Sequence, residues 1–296
     1  MSDMKPPPSY GDVERPQDGD MQLARLRTLL ERHEISNRMV GKLRQLEDFD
    51  IVFVCDDSGS MNAKCALGGD DPYKPRQTRW EELKDTLCTV VEISTALDDD
   101  GIDVYFLNRY PPLKNVMSRS VVEEVFDSHQ PGGYTPIASV LQQVLQEKGY
   151  GFRPRMEGQK KLLIVVATDG EPTDPRGGGA VDRQSVLNVL RQRPGDVYTT
   201  FAAMTDDEET MSYLDSWDAL LPRFDVVDDY ISERKQIHRV QGSAFPFSRG
   251  DYVCKILLGS IDPEVDAWDE HPAFDSPVLR RGSSRRGGRR GRCDLL

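Results

Sequence analysis

Two continuous apolar runs organise this chain, Ile51-Val52-Phe53-Val54-Cys55 and Leu162-Leu163-Ile164-Val165-Val166-Ala167. Runs of this length without polar alternation are what a strand covered on both faces requires. Between and beyond them the spacing changes to that of amphipathic helices, with Leu83, Leu87, Val90, Val91 and Ile93 in 80–97 and Ile137, Val140, Leu141, Val144 and Leu145 after Pro136. Shorter apolar segments at 104–107, 197–201 and 224–227 predict further strands, and 185–190, 208–220 and 252–258 predict further helices. Strands alternating with helices in this way predict an α/β fold, doubly wound around a mostly parallel central sheet flanked by helices.

Ahead of the first strand, Leu23, Leu26, Leu29 and Leu30, then Ile35, Met39, Val40, Leu43 and Leu46, have the spacing of two short amphipathic helices broken near Ser36-Asn37. They are expected to pack on the core, with a partner-binding helical hairpin as the alternative. The expected organisation is a disordered proline-rich segment at 1–20, a helical extension at 21–47, the main domain at 48–260 and a flexible arginine-rich tail at 261–296. The connections 62–79 and 108–119 are long enough to be either functional or disordered.

Composition narrows the class. At 296 residues and 38% hydrophobic content the chain can bury a sizeable core. Cys55, Cys65, Cys88, Cys254 and Cys293 are odd in number and irregular in spacing, which argues against a disulfide framework or a zinc cluster. Cys55 and Cys88 read as small core residues. No apolar stretch approaches membrane-spanning length, and Asp3 with Pro6, Pro7 and Pro8 stands where a signal sequence would be basic and apolar, so a cytoplasmic chain is expected. No P-loop, dinucleotide fingerprint or nucleophile–base pair is evident, and His33, His129, His238 and His271 are scattered.

The candidate chemistry lies where the apolar runs stop. Asp56-Asp57-Ser58-Gly59-Ser60 follows the first run directly, and Thr168-Asp169-Gly170 follows the second. Ser58 and Ser60 supply neutral oxygen donors of the kind Mg2+ accepts, and Asp56 can hold one of the waters this ion keeps. Thr135, in Gly132-Gly133-Tyr134-Thr135-Pro136, offers a third hydroxyl ahead of a helix. Taken singly, Thr135 is also a good N-cap before a proline at the first helical position, and the other two segments are ordinary loops. In open α/β sheets ligands sit outside the carboxyl ends of the strands, where all three segments are predicted to lie.

Together these residues resemble the metal-ion-dependent adhesion site of the von Willebrand factor A family: Asp56-x-Ser58-x-Ser60, Thr135 in a glycine-rich loop, and Asp169 in Ala-Thr-Asp-Gly-Glu. The resemblance spans roughly 48–260 and matches all five positions in order. It implies direct metal contact by Ser58, Ser60 and sometimes Thr135, with Asp56 and Asp169 acting mainly through waters. The ion implied is Mg2+, with Mn2+ or Ca2+ as alternatives. Hydroxyls offset its charge only in part, so an open position favours an Asp or Glu from a protein partner. The expected function is therefore a cation-dependent adaptor domain rather than an enzyme. The alternatives are a metal-dependent hydrolase, which would need a general base and stronger inner ligands, and a scaffold with a non-functional site.

The ends carry separate signals. Pro7, Pro8 and Tyr10 belong to a PPxY element of the type that docks on WW domains. Seven arginines between Arg280 and Arg292 precede Cys293-Asp294-Leu295-Leu296, a C-a-a-X-like arrangement in which Cys293 is the candidate prenylation site and Asp294 the departure from the usual pattern. A prenyl group with a basic run fits peripheral attachment to an anionic membrane. Nucleic acid is the weaker partner for this tail, because the chain as a whole carries a net charge of −12. Arg249-Gly250-Asp251 is expected to be a helix start rather than an adhesion ligand.

Overall fold

The computed structural model describes residues 27–65, 76–150 and 158–272. Pro7, Pro8, Tyr10, the arginine-rich segment and Cys293 lie outside these residues. The two long apolar runs form the centre of a six-stranded sheet: β1 (Phe49–Cys55) pairs in parallel with β2 (Ile102–Phe106) on one side and with β4 (Lys161–Thr168) on the other. Outward from β4 come β7 (Val197–Ala203) and β8 (Phe224–Val227), both parallel. The remaining edge is β3 (Leu113–Val116), antiparallel to β2, which gives the order β3-β2-β1-β4-β7-β8. A separate small hairpin joins β5 (Thr173–Asp174) to β6 (Ala180–Val181).

Alternation along each strand divides the core into two layers. Phe49, Ile51, Phe53 and Cys55 of β1 and Leu163, Val165 and Ala167 of β4 face one side. They pack there against α3 (Arg79–Leu97) and α10 (Arg249–Leu258). Val52 and Val54, with Leu162, Ile164 and Val166, face the other, against α5 (Ile137–Glu147), α6 (Arg183–Gln192) and α8 (Tyr213–Asp218). Both faces of the central strands are thus covered, which is why their sequence shows no polar alternation. The doubly wound, mostly parallel α/β architecture expected from the sequence is the one observed.

Several local expectations need correction. The connection 108–119 contains β3, and α4 (Arg119–Asp127) follows it directly. The single helix expected over 208–220 is two, α7 (Glu208–Met211) and α8, with Ser212 between them. A helix absent from the sequence reading, α9 (Tyr230–Gln241), begins at Asp229, whose carboxylate accepts from the Ile231 and Ser232 amides. Its buried face carries Glu233 beside Tyr230 and Ile237, so the apolar period that would reveal it is broken. Residues beyond 260, assigned to the tail, form α11 (Pro263–Asp266), and Val265 and Trp268 are buried in the same core as β1.

The N-terminal extension packs on that layer. Residues 27–32 are helical (α1), α2 (Asn37–Leu43) follows, and a 3-10 turn at Arg44–Asp48 leads into β1, burying Ile35, Met39, Leu43 and Leu46. Asp251 ties it down by accepting from the Ser36 amide at 2.8 Å. The Arg-Gly-Asp triplet is the first turn of α10, where Ser248 and Asp251 form a reciprocal capping box and Asp251 is buried. Among the described residues no helix is long and apolar enough to cross a membrane.

A polar cluster lies beneath α10. The ammonium of Lys255, fully buried, is 2.6 Å from Glu233 Oε1 and 2.8 Å from Asp269 Oδ1. Asp225 of β8 is buried nearby; among the described residues nothing donates a hydrogen bond to its Oδ2. Its carboxylate fills the space a side chain would need at position 259, where a Cβ would come within 1.6 Å of that oxygen, so Gly259 is required for the close approach. Burial, offset in part by Lys255, pushes the Asp225 carboxyl well above the usual range. The surrounding carboxylates hold the Lys255 ammonium protonated against its desolvation.

Candidate functional site

Parallel pairing places Cys55 of β1 opposite Ala167 of β4, so Asp56 and Thr168 emerge side by side at the C-terminal end of the sheet. Asp56 is completely buried, with Oδ2 accepting from the Thr168 hydroxyl at 2.6 Å and Oδ1 from the Ser58 amide at 2.8 Å. That amide bond folds the chain back so that a 3-10 turn at Gly59–Asn62 starts at once. The Ser58 and Ser60 hydroxyls lie 3.0 Å apart, and the Ser60 hydroxyl donates to Asp169 Oδ1 at 2.7 Å. Four of the five residues singled out from the sequence are therefore joined by contacts across more than a hundred positions of chain.

Thr135 reaches the same place by its backbone. Its amide donates to Thr173 Oγ1 at 2.8 Å and its carbonyl accepts from the Thr173 amide at 3.0 Å, pinning the loop to β5. The loop also meets the first segment, with the Gly132 amide 2.7 Å from the Asp57 carbonyl and the Gly59 amide 3.4 Å from that of Gly133. Gly133 has φ +107°, and a Cβ there would meet Asn108 Oδ1 at 2.5 Å, so both its conformation and its surroundings require glycine. Thr135 does not cap α5. Pro136 takes the N-cap position, and among the described residues the Thr135 hydroxyl makes no hydrogen bond, including with the other four.

Residues that the sequence did not mark hold these loops in place. Asp57 turns away from the hydroxyls: its Oδ1 accepts from the Asn108 amide at 2.8 Å and side chain at 3.0 Å, and Oδ2 is 3.0 Å from Arg109 Nε. The last is an ion pair without hydrogen-bond alignment. Arg109 lies over the rings of Trp80 and Phe106, and Asn108 also donates to the Tyr134 carbonyl at 2.8 Å, linking the segment after β1 to the glycine-rich loop. Arg79, at the first position of α3, donates to Asp169 Oδ2 and to Thr205 Oγ1, each at 2.7 Å. A polar residue just past a strand could have drawn attention to Asn108; nothing local marks Arg79.

Electrostatically the site is an acid pair deprived of water. Burial and the charge of Asp169 push the Asp56 carboxyl up and the Thr168 and Ser58 hydrogen bonds pull it down, leaving it raised to about 6. A divalent cation fits this donor set. Neighbouring oxygens around an octahedral Mg2+ with bonds of about 2.0–2.1 Å stand roughly 2.9 Å apart, close to the 3.0 Å between the Ser58 and Ser60 hydroxyls. The Thr135 hydroxyl adds a donor unclaimed by any described residue. Among the described residues no group of three or more His, Cys, Asp and Glu is placed to hold a metal; the oxygens gathered here are hydroxyls beside the two carboxylates of Asp56 and Asp169. His33 pairs with Glu92, and His238 with the Phe245 carbonyl.

No curated protein matches the chain. The family model for the von Willebrand factor type A domain matches residues 50–217, from the first residues of β1 to α8, and so takes in every loop just described. With more than half of its length accounted for in this way, the chain belongs to the von Willebrand factor type A domain family.

Proposed function

We propose that the domain binds a divalent cation, Mg2+, at the C-terminal end of its sheet and through it captures an acidic side chain of a protein partner. Domains of this family are generally interaction modules. Ser58, Ser60 and Thr135 would hold the ion directly, and Asp56 and Asp169 would act through waters. The bound ion would supply a positive centre with a position left for a carboxylate. The chain's own residues do the rest: Asp56 and Thr168 fix the turn that presents the two serines, Thr173 and Asn108 fix the loop that presents Thr135, and burial of Asp56 and Asp169 limits screening of their charge by bulk water, while Ser60 stays exposed on the open side.

The observation that carries this reading is the continuous set of contacts Asp56–Ser58–Ser60–Asp169, with serine hydroxyls at a spacing suited to one small ion. Its surroundings suit a protein partner. The neighbouring loops expose Tyr110, Tyr134 and Val181, and the Tyr134 ring sits against Gly179 of the turn between β5 and β6. The reading extends outside the described residues, where Pro7, Pro8 and Tyr10 would engage a WW domain and the arginine-rich segment an anionic membrane.

The test uses the full chain as bait in Mg2+ and in EDTA, followed by alanine replacement of each Asp and Glu in whatever is retained. The expected result is a partner held in Mg2+, released by EDTA, and lost with one of its own acidic residues or with Ser60→Ala. Partners that ignore both EDTA and Ser60→Ala would overturn the proposal.

A further inference from the structure

Arg79 places a full positive charge on a carboxylate of the proposed cation site. Among the described residues it is the only cationic side chain paired with Asp169, and Asp56 has none. The side chain of Asp169 is fully buried and both its oxygens are taken, Oδ1 by the Ser60 hydroxyl and Oδ2 by Arg79. The guanidinium is not a stray surface group. Its second nitrogen is anchored on Thr205, beyond the end of β7, and its backbone is held by the Thr78–Glu81 capping box and by the Arg79 amide donating to the Ala63 carbonyl. A planar fork held at both ends in this way is costly to displace.

Resting on the cation-site reading above, we propose that Arg79 is a built-in counter-charge of that site: it holds Asp169 in position when no divalent ion is present and lowers the affinity for the ion. The reasoning is a charge balance. Asp56 and Asp169 together offer two negative charges, which would match a divalent cation completely; Arg79 cancels one of them in advance. It also shares Asp169 with any incoming ion, so the carboxylate cannot turn wholly toward it. The ion is then held more weakly than the same hydroxyls and carboxylates would hold it alone, and the site stays folded without it. Even at a dielectric close to that of water, a unit charge several ångströms from a divalent ion changes its affinity on the order of tenfold.

The experiment is a titration of the full chain with MgCl2 by calorimetry, together with thermal melts with and without Mg2+, for the wild type, Arg79→Gln and Arg79→Lys. Arg79→Gln should bind Mg2+ about tenfold more tightly, melt lower than wild type in EDTA, and recover that loss when Mg2+ is added. Arg79→Lys keeps the charge but not the fork, and should stay within about threefold of the wild-type affinity. Two outcomes overturn the assignment of Arg79 while leaving the cation site standing: Arg79→Gln binding Mg2+ no more tightly than wild type, with its melt lowered equally in both conditions, or Arg79→Lys changing affinity as much as Arg79→Gln. If neither wild type nor Arg79→Gln binds Mg2+, the cation site itself fails and the role of Arg79 with it.

Discussion

The loops above β1 and β4 and the space beneath α10 both bury more carboxylate than their surroundings can solvate, yet they are built differently. Above the sheet, Asp56 and Asp169 are met by hydroxyls, amides and a single arginine approaching from the side. Beneath α10, Glu233 and Asp269 close directly on the ammonium of Lys255. The second cluster carries in the chain a cation shared by two carboxylates; in the first, Arg79 meets Asp169 alone, and among the described residues Asp56 has no cationic partner. Burying charge is costly in either place; beneath α10 an internal cation offsets it for two carboxylates, above the sheet for Asp169 alone.

That contrast can be broken most forcefully at the lysine. Lys255→Met leaves Glu233 and Asp269 without their cation and should cost about 3–5 kcal/mol in denaturant unfolding, in Mg2+ and in EDTA alike. A variant that unfolds at the wild-type midpoint would show that the carboxylates are not held by Lys255. The next largest effect belongs to the upper site. Saturating Mg2+, near a hundred times its dissociation constant, should raise the stability of the wild type by roughly 2–3 kcal/mol. Ser60→Ala should abolish that gain while costing about 1 kcal/mol or less in EDTA, because only its hydroxyl contacts are removed.

The smallest effect sharpens the comparison through pH. Asp225 and Asp218 both have carboxyls raised by burial, that of Asp218 to about 6 with the negative charges of Asp266, Glu270 and Asp269 adding to the rise. For a carboxyl raised in the folded state, the native protein holds a proton the unfolded chain has lost. The contribution to stability is therefore full below the ordinary aspartate range and is lost as pH climbs through the folded value. Asp225→Asn should be close to neutral near pH 3, below the ordinary aspartate range of about 3.9, and the difference should shift in favour of the variant as pH rises above that range toward the raised folded value. Parallel pH profiles for the two proteins would remove Asp225 from the account.

The two clusters were not equally legible in the sequence. The upper one announced itself because each hydroxyl or carboxylate follows an apolar run or a glycine pair, and strand ends can be read locally. What positions those residues could not be read, since Arg79, Asn108 and Thr173 act only through contacts between distant segments. Thr135 suited a helix cap equally well, and only the backbone showed that Pro136 occupies that place. The lower cluster gave no signal. Glu233 interrupts the buried face of α9, and Lys255 interrupts the apolar run 252–258 of α10, so the charges that pair in the fold look like breaks in periodicity. The central strands were read almost to their ends because both faces are covered, whereas β3, half exposed, resembled a loop.

That outer strand has a consequence of its own. A parallel sheet ending at β2 would present a row of free backbone groups on which another chain could assemble. Here the border is four residues long, reversed in direction, interrupted by a bulge opposite Ile102 and Val104, and decorated with Lys114 and a left-handed Asn115. Each of these features discourages further strands from adding on. Crowded solutions of this protein should accordingly show no ribbons joined through this border of the sheet.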